Sequence, residues 1–179
     1  QRNSLIKICA RVIVLGSKKP NNKLIPHLFK NMEIDEMAQF SSAILHETIE
    51  LNSLGIKNKL WDDWLFQYLD NRAQNIPKPI SEDEIESISL GLSFVLNDIP
   101  EASFLMTRLP STHIQKHYMV YGNLLEHGFL KNHPSEAAKL LIHLSRSVET
   151  DDHIEDLKSA IDQVLRNIDG KLRRKLEEA

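Results

Sequence analysis

The residues best suited to chemistry in this chain are its histidines and carboxylates, so their spacing decides what they can do. There are eight histidines. His113 and His117 stand four apart, and a helix would bring both rings to one face, as it does for pairs of zinc ligands. A third ligand must come from further along, where Glu126 and His127 are the candidates. No Glu follows His113 to make the His-Glu-x-x-His pattern of a metalloprotease. His46-Glu47-Thr48-Ile49-Glu50 has that Glu but lacks the second His. Surface and helix-boundary positions account for these histidines, and the reading is no metal and no cofactor.

Other chemistries leave less trace. The six glycines are isolated, with no Gly-x-Gly-x-x-Gly, no Gly-Lys-Ser/Thr and no Gly-x-Ser-x-Gly. The paired carboxylates Asp62/Asp63 and Asp151/Asp152 fall at helix starts or on solvated faces. Cys9 is the one cysteine, so no internal disulfide forms, and its neighbours Ile8 and Ala10 suit a buried, inert thiol. The chain is therefore expected to be no enzyme, with binding surface as its means of action.

The elements that must position any such surface are helices. Glycine and aromatic residues are scarce, and 41% of the chain is hydrophobic while 26% is charged. That balance suits a helical protein with a real core rather than a sheet protein or a disordered chain. A first helix is expected from Asn3 to Leu15, stopped by Gly16 and Pro20, with a short helical turn around His27–Lys30. A long amphipathic helix follows from Ile34 to Leu54, closed by Gly55. Its apolar residues Met37, Phe40, Ile44, Leu45, Ile49 and Leu51 recur close to the helical period.

Next come Leu60, Trp61, Trp64, Leu65, Tyr68 and Leu69 on one stripe, opposite Asp62, Asp63, Gln67, Asp70 and Asn71. Burying both Trp side chains contributes several kcal/mol, at ~25 cal/mol per Å² over roughly 150–250 Å² each. Pro77 and Pro79 end that helix. Ser81-Glu82-Asp83-Glu84 is a capping box, in which Ser81 accepts the Glu84 amide and Glu84 reaches back to the Ser81 amide. Ile85, Ile88, Leu92, Val95, Leu96 and Ile99 supply the inner face of the next helix.

Four further helices are expected. Pro100 leads Glu101 to Leu109. Ser111 or Thr112 caps a helix through Tyr118, Tyr121 and Leu125 that stops near Gly128. Pro134 starts a helix carrying Ala137, Ala138, Leu140, Leu141 and Leu144. Asp151 or Asp152 opens one carrying Ile154, Leu157, Ile161, Val164, Leu165 and Ile168, and Gly170 precedes a charged tail. Pro100-Glu101-Ala102 echoes Pro134-Ser135-Glu136-Ala137, placing Ala102 and Ala137 35 positions apart. That period is the one stacked helix pairs show. The expected fold is thus all-α, a solenoid-like bundle of about eight to ten helices built from helix-pair repeats. Residues 1–55 would pack on an array over residues 56–179, or continue it as one domain.

Charge is unevenly spread: residues 1–60 sum to +4, residues 61–110 to -6 and residues 111–179 to -1. A dedicated nucleic-acid binder would be strongly basic throughout. Lys18, Lys19 and Lys23 form a local basic loop, and the Lys171–Lys175 tail is a second. A solvated loop explains the first, and together they carry the alternative reading, a nucleic-acid-binding accessory domain. No apolar run reaches the ~20 residues that cross a bilayer, and the N-terminus has no signal-peptide layout. The chain reads as cytoplasmic. It does not begin with Met, which suggests a piece of a longer protein.

Several landmarks together resemble a known pattern. They are Leu60-Trp61-Asp62-Asp63-Trp64-Leu65, Tyr68, Asn71-Arg72, Ile76-Pro77-Lys78-Pro79-Ile80, Glu84, Pro100-Glu101-Ala102 and His133-Pro134-Ser135-Glu136-Ala137-Ala138. In these the chain resembles an uncharacterised helical domain at the C-terminus of large bacterial proteins, often behind a sirtuin-like NAD-hydrolysing domain and associated with defence against phage. The likeness covers about Leu60 to Leu165, in structural landmarks rather than catalytic ones. It departs at Tyr68-Leu69, where relatives carry an aromatic pair, and at Ile99-Pro100, where they carry Phe-Pro. It implies that any catalysis lies elsewhere in a parent protein, and that this part senses, scaffolds or assembles, against a phage component or another subunit. Trp61, Trp64, Tyr68 and Arg72 are the marked positions, chiefly as structural anchors. Arg72 is expected either to pair with a nearby acid or to bind a carboxylate or phosphate.

Overall fold

Apolar residues at three-and-four spacing, broken by Gly and Pro, produce the helices of this chain. The computed structural model describes residues 2–15, 31–53, 64–76, 78–111, 114, 118–146 and 154–178. Among them are ten α-helices and no strand. In chain order these are α1 (Arg2–Leu15), α2 (Ile34–Ser53), α3 (Phe66–Ala73), α4 (Glu82–Val95) and α5 (Ala102–Met106). Then follow α6 (Tyr118–Glu126), α7 (Phe129–Asn132), α8 (Pro134–Ser145), α9 (Ile154–Leu165) and α10 (Gly170–Glu177). None of the described helices is long and apolar enough to cross a membrane. The fold is an all-α bundle. Two compact units make it up, Gln1–Gly91 and Leu92–Ala179, and the division falls inside α4.

In the first unit, α1 packs along α2 through Ile6, Ala10 and Val14, which recur every four residues and are buried. The start of α2 is held by Glu36, whose carboxylate accepts the Glu33 amide at 2.9 Å. Its inner face buries Met37, Phe40, Ile44 and Leu45. The backbone of α4 comes down on that face at Gly91. A Cβ added there would stand 2.9 Å from Cβ and Cδ1 of Leu45, so only glycine lets the two helices approach this closely.

The second unit is organised around α8. Pro134 stands at its first helical position, where the missing N–H costs nothing. Ala137, Ala138, Leu140, Leu141 and Leu144 are buried on it, and α5, α7, α9 and α10 all pack against it. Ala102 and Ala137, the alanines of the sequence echo, are both fully buried, but their helices are five and twelve residues long. Gly128, at φ 79°, turns the chain from α6 into the short helix α7. The charged tail is helical too, and Leu176 anchors α10 at 1% exposure.

Candidate functional site

Of the residues marked in the sequence, Trp61, Lys18, Lys19, Lys23, His113 and His117 lie outside the described residues. Trp64, Tyr68 and Arg72 are brought together by α3 and the turn before it. Leu65, Tyr68, Leu69 and Arg72 fall at i, i+3, i+4 and i+7, and all four are buried. The stripe that carries the core residues thus continues onto an arginine. Trp64 stacks on Tyr68 with ring centroids 5.0 Å apart and planes at 9°, while Phe40 meets the same ring edge-on at 5.7 Å.

A fully buried guanidinium needs a full set of acceptors, and Arg72 has one. Its Nε donates to Glu84 Oε1 at 2.7 Å and its Nη2 to Glu84 Oε2 at 2.6 Å, with both side chains at 0% exposure. The remaining donors go to backbone carbonyls of the α3–α4 loop: Nη1 to Ile76 at 3.0 Å and Lys78 at 2.8 Å, and Nη2 to Pro79 at 3.4 Å. All five N–H groups are therefore engaged. Burial works against the charge on Arg72, but its hydrogen bonds with Glu84 and that carboxylate's charge outweigh it and raise its pKa.

The network runs one step further. Ser41 Oγ donates to Glu84 Oε1 at 2.8 Å, which leaves the Tyr68 hydroxyl as donor in the 2.6 Å contact with Ser41. Burial, reinforced by the nearby carboxylate of Glu84, holds the Tyr68 phenol protonated well above its ordinary range. Glu84 does not close the capping box as expected. Its amide is capped by Ser81 Oγ at 3.2 Å, but its carboxylate turns inward to Arg72 and Ser41 instead of back to the Ser81 amide. The buried charge on Arg72 is the stronger claimant. Every donor on Arg72 is taken within the protein, so the set α2–α3–loop–α4 is a clamp held by that network.

The surface of the same unit offers two features. An open groove of about 660 Å³ runs along the outer side of α2, lined by Lys7 of α1, by Asp35, Gln39, Ser42, His46 and Glu47 of α2, and by Asp83 and Ser87 of α4. At its edge, one ligand atom each from His46, Glu47 and Glu50 lie within 4.8 Å of one another, a set that suits a divalent cation. All three stand on one helix, and Arg11 Nε already faces Glu47 at 3.7 Å.

The second feature lies on the outer face of α1. Leu5, Ile8 and Val12 are 59%, 56% and 64% exposed, the highest values for any large hydrophobic residue described. They recur at i, i+3 and i+7, so they form one unbroken ridge on the side opposite Ile6, Ala10 and Val14. The sequence did not single this ridge out, because apolar residues wrap most of α1 and periodicity alone does not say which side is covered.

In the second unit the described histidines have structural partners. His133 Nε2 meets the Asn97 carbonyl at 2.9 Å, His143 Nε2 meets the Leu109 carbonyl at 2.9 Å, and the His127 ring lies 5.8 Å from that of Phe94. Lys171, Arg173, Arg174 and Lys175 are exposed on α10, where Arg173 is tied to Glu177 at 2.9 Å. Burial, with the charge of Asp156 adding to it, pushes the Tyr121 phenol up to about 12. No protein-family model, no curated protein and no solved structure matches the chain.

Proposed function

We propose that the chain is a non-catalytic helical interaction module whose docking face is the outer side of α1. The ridge of Leu5, Ile8 and Val12 carries this reading. At roughly 1.5–3 kcal/mol for full burial of each aliphatic side chain, a ridge more than half exposed holds back about 3–5 kcal/mol that a partner would release. Isolated exposed aliphatics are ordinary, whereas three in register on one helix make a contiguous apolar patch of the kind that often serves binding. The buried clamp of Arg72 and Glu84 fits the same reading, since it ties α2, α3 and α4 together rather than presenting a group to a substrate.

The sequence landmarks between Leu60 and Leu165 support placing the module in a larger bacterial anti-phage defence protein, as its C-terminal sensing or assembly part. Its partner there would be a phage component or another subunit. The experiment is a comparative capture from phage-infected bacterial lysate, with the full chain and an L5S/I8S/V12S variant as baits, each with and without nuclease. A stoichiometric protein held by the full chain, lost with the variant and indifferent to nuclease, is the expected result. Nucleic acid alone, recovered equally by both baits, would replace this reading with binding through the basic residues of α10 and the Lys18–Lys23 loop.

A further inference from the structure

The apolar ridge of α1 has a charged edge. Ser4, Lys7 and Arg11 stand one position ahead of Leu5, Ile8 and Val12, so they form a second exposed row beside the first, about 100° round the helix. Arg11 remains 65% exposed despite its contact with Glu47, and α1 contains no acidic residue at all. Among the described residues, the carboxylate of Glu47 faces Arg11, and those of Asp35 and Asp83 share the groove with Lys7. They come from α2 and α4, on the groove side. The row therefore separates them from the ridge, and whatever lies on the ridge meets Lys7 and Arg11 first.

We infer that this face takes an amphipathic helix of a protein partner, with aliphatic side chains at matching three-and-four spacing and carboxylates along the edge that meets Lys7 and Arg11. The inference rests on the reading of α1 as a docking face, and it adds the chemistry of the occupant. Charge complementarity selects an acidic edge, because a basic or neutral one leaves the row uncompensated. Area argues against a second copy of the same ridge. Three side chains offer on the order of 300 Å² a side, against ~800 Å² per partner for a stable interface, and pairing two such helices would set cation against cation. A single short helix matches the ridge in length, since α1 extends for about 21 Å.

The test is an anisotropy titration of the full chain against labelled helical peptides of about 14 residues. One peptide carries Leu at three-and-four spacing with Glu along one edge, and a second carries Lys in place of that Glu. The Glu-edged peptide should bind at least about tenfold more tightly, and its affinity should fall several-fold when salt is raised to about 0.3 M. A K7E/R11E variant, with its circular dichroism unchanged, should reverse the preference. Equal binding of both peptides, lost in L5S/I8S/V12S, would overturn the acidic partner while leaving the docking face standing. Binding of neither peptide would overturn both. Binding to anionic vesicles of phosphatidylserine with no discrimination between the peptides would overturn the inference in favour of a lipid surface.

Discussion

Glu84 is the residue on which the first unit turns, because a charged neighbour with no route to solvent depends on it. Replacing it with Gln leaves the shape almost unchanged but strands the Arg72 guanidinium among neutral acceptors. Breaking a buried pair by removing one partner costs about 3–5 kcal/mol, so E84Q should lower the urea midpoint by that equivalent. Replacing both partners, as in R72M/E84L, should cost much less than the two single changes added together. A double variant as damaged as that sum would show that the pair contributes through its carbonyl and hydroxyl contacts instead. A second residue-scale signal lies in the phenols. Both Tyr68 and Tyr121 hold their protons more firmly folded than unfolded, where a phenol ionises near 10. Their contribution to stability is complete below about pH 10 and is lost as pH rises beyond it, through about 12 for Tyr121. Tyrosinate absorbance followed to high pH should show these two groups titrating late, and together with unfolding. A titration of all three tyrosines near 10 in the folded chain would contradict their burial.

At the scale of elements, the crossing of α2 and α4 depends on one absent methyl group. G91A would drive a Cβ to 2.9 Å from Leu45, against a side chain that is itself fully packed. Overpacking of this kind costs about 1–3 kcal/mol. Trimming the opposing side chain in G91A/L45A should restore part of that loss in thermal unfolding, and a G91A chain as stable as the original would mean that the helices slide apart freely. The helices themselves were legible because their punctuation is local: Pro134 at the start of α8, Ser81 before α4, and apolar residues of α9 at three-and-four spacing. What the sequence hid depends on contacts across the chain. Arg72 is expected to pair with a nearby acid or to bind a carboxylate or phosphate. It continues the stripe of Leu65, Tyr68 and Leu69 toward an acid 12 residues on, Glu84, which local pattern alone does not single out. Three carboxylates in a row, Glu82, Asp83 and Glu84, all suit a helix start, and only the fold shows that the third faces inward. The short helix α7 was missed because four residues are too few for a periodic signal. The ridge on α1 was missed because a helix that is apolar on most sides does not announce which side stays bare.

For the whole molecule, the balance of charge decides how much the ridge matters. The net charge is only -3 with histidines neutral, and the basic first third and acidic middle largely cancel. So small a charge gives copies little mutual repulsion. The sequence sets an isoelectric point of about 6.3, so the net charge passes through zero in a window around that pH. Repulsion is then weakest, while the aliphatic ridge of α1, which does not titrate, is unchanged. Light scattering on concentrated samples should therefore show weak, reversible association that peaks in that window and recedes on either side. The ridge is too small to hold a stable dimer, so the association should vanish on dilution. If the ridge is the adhesive surface, L5S/I8S/V12S should flatten the peak without altering the net charge or the pH at which it passes through zero. An unchanged peak in that variant would put the attraction elsewhere on the surface and remove the ridge as the adhesive surface.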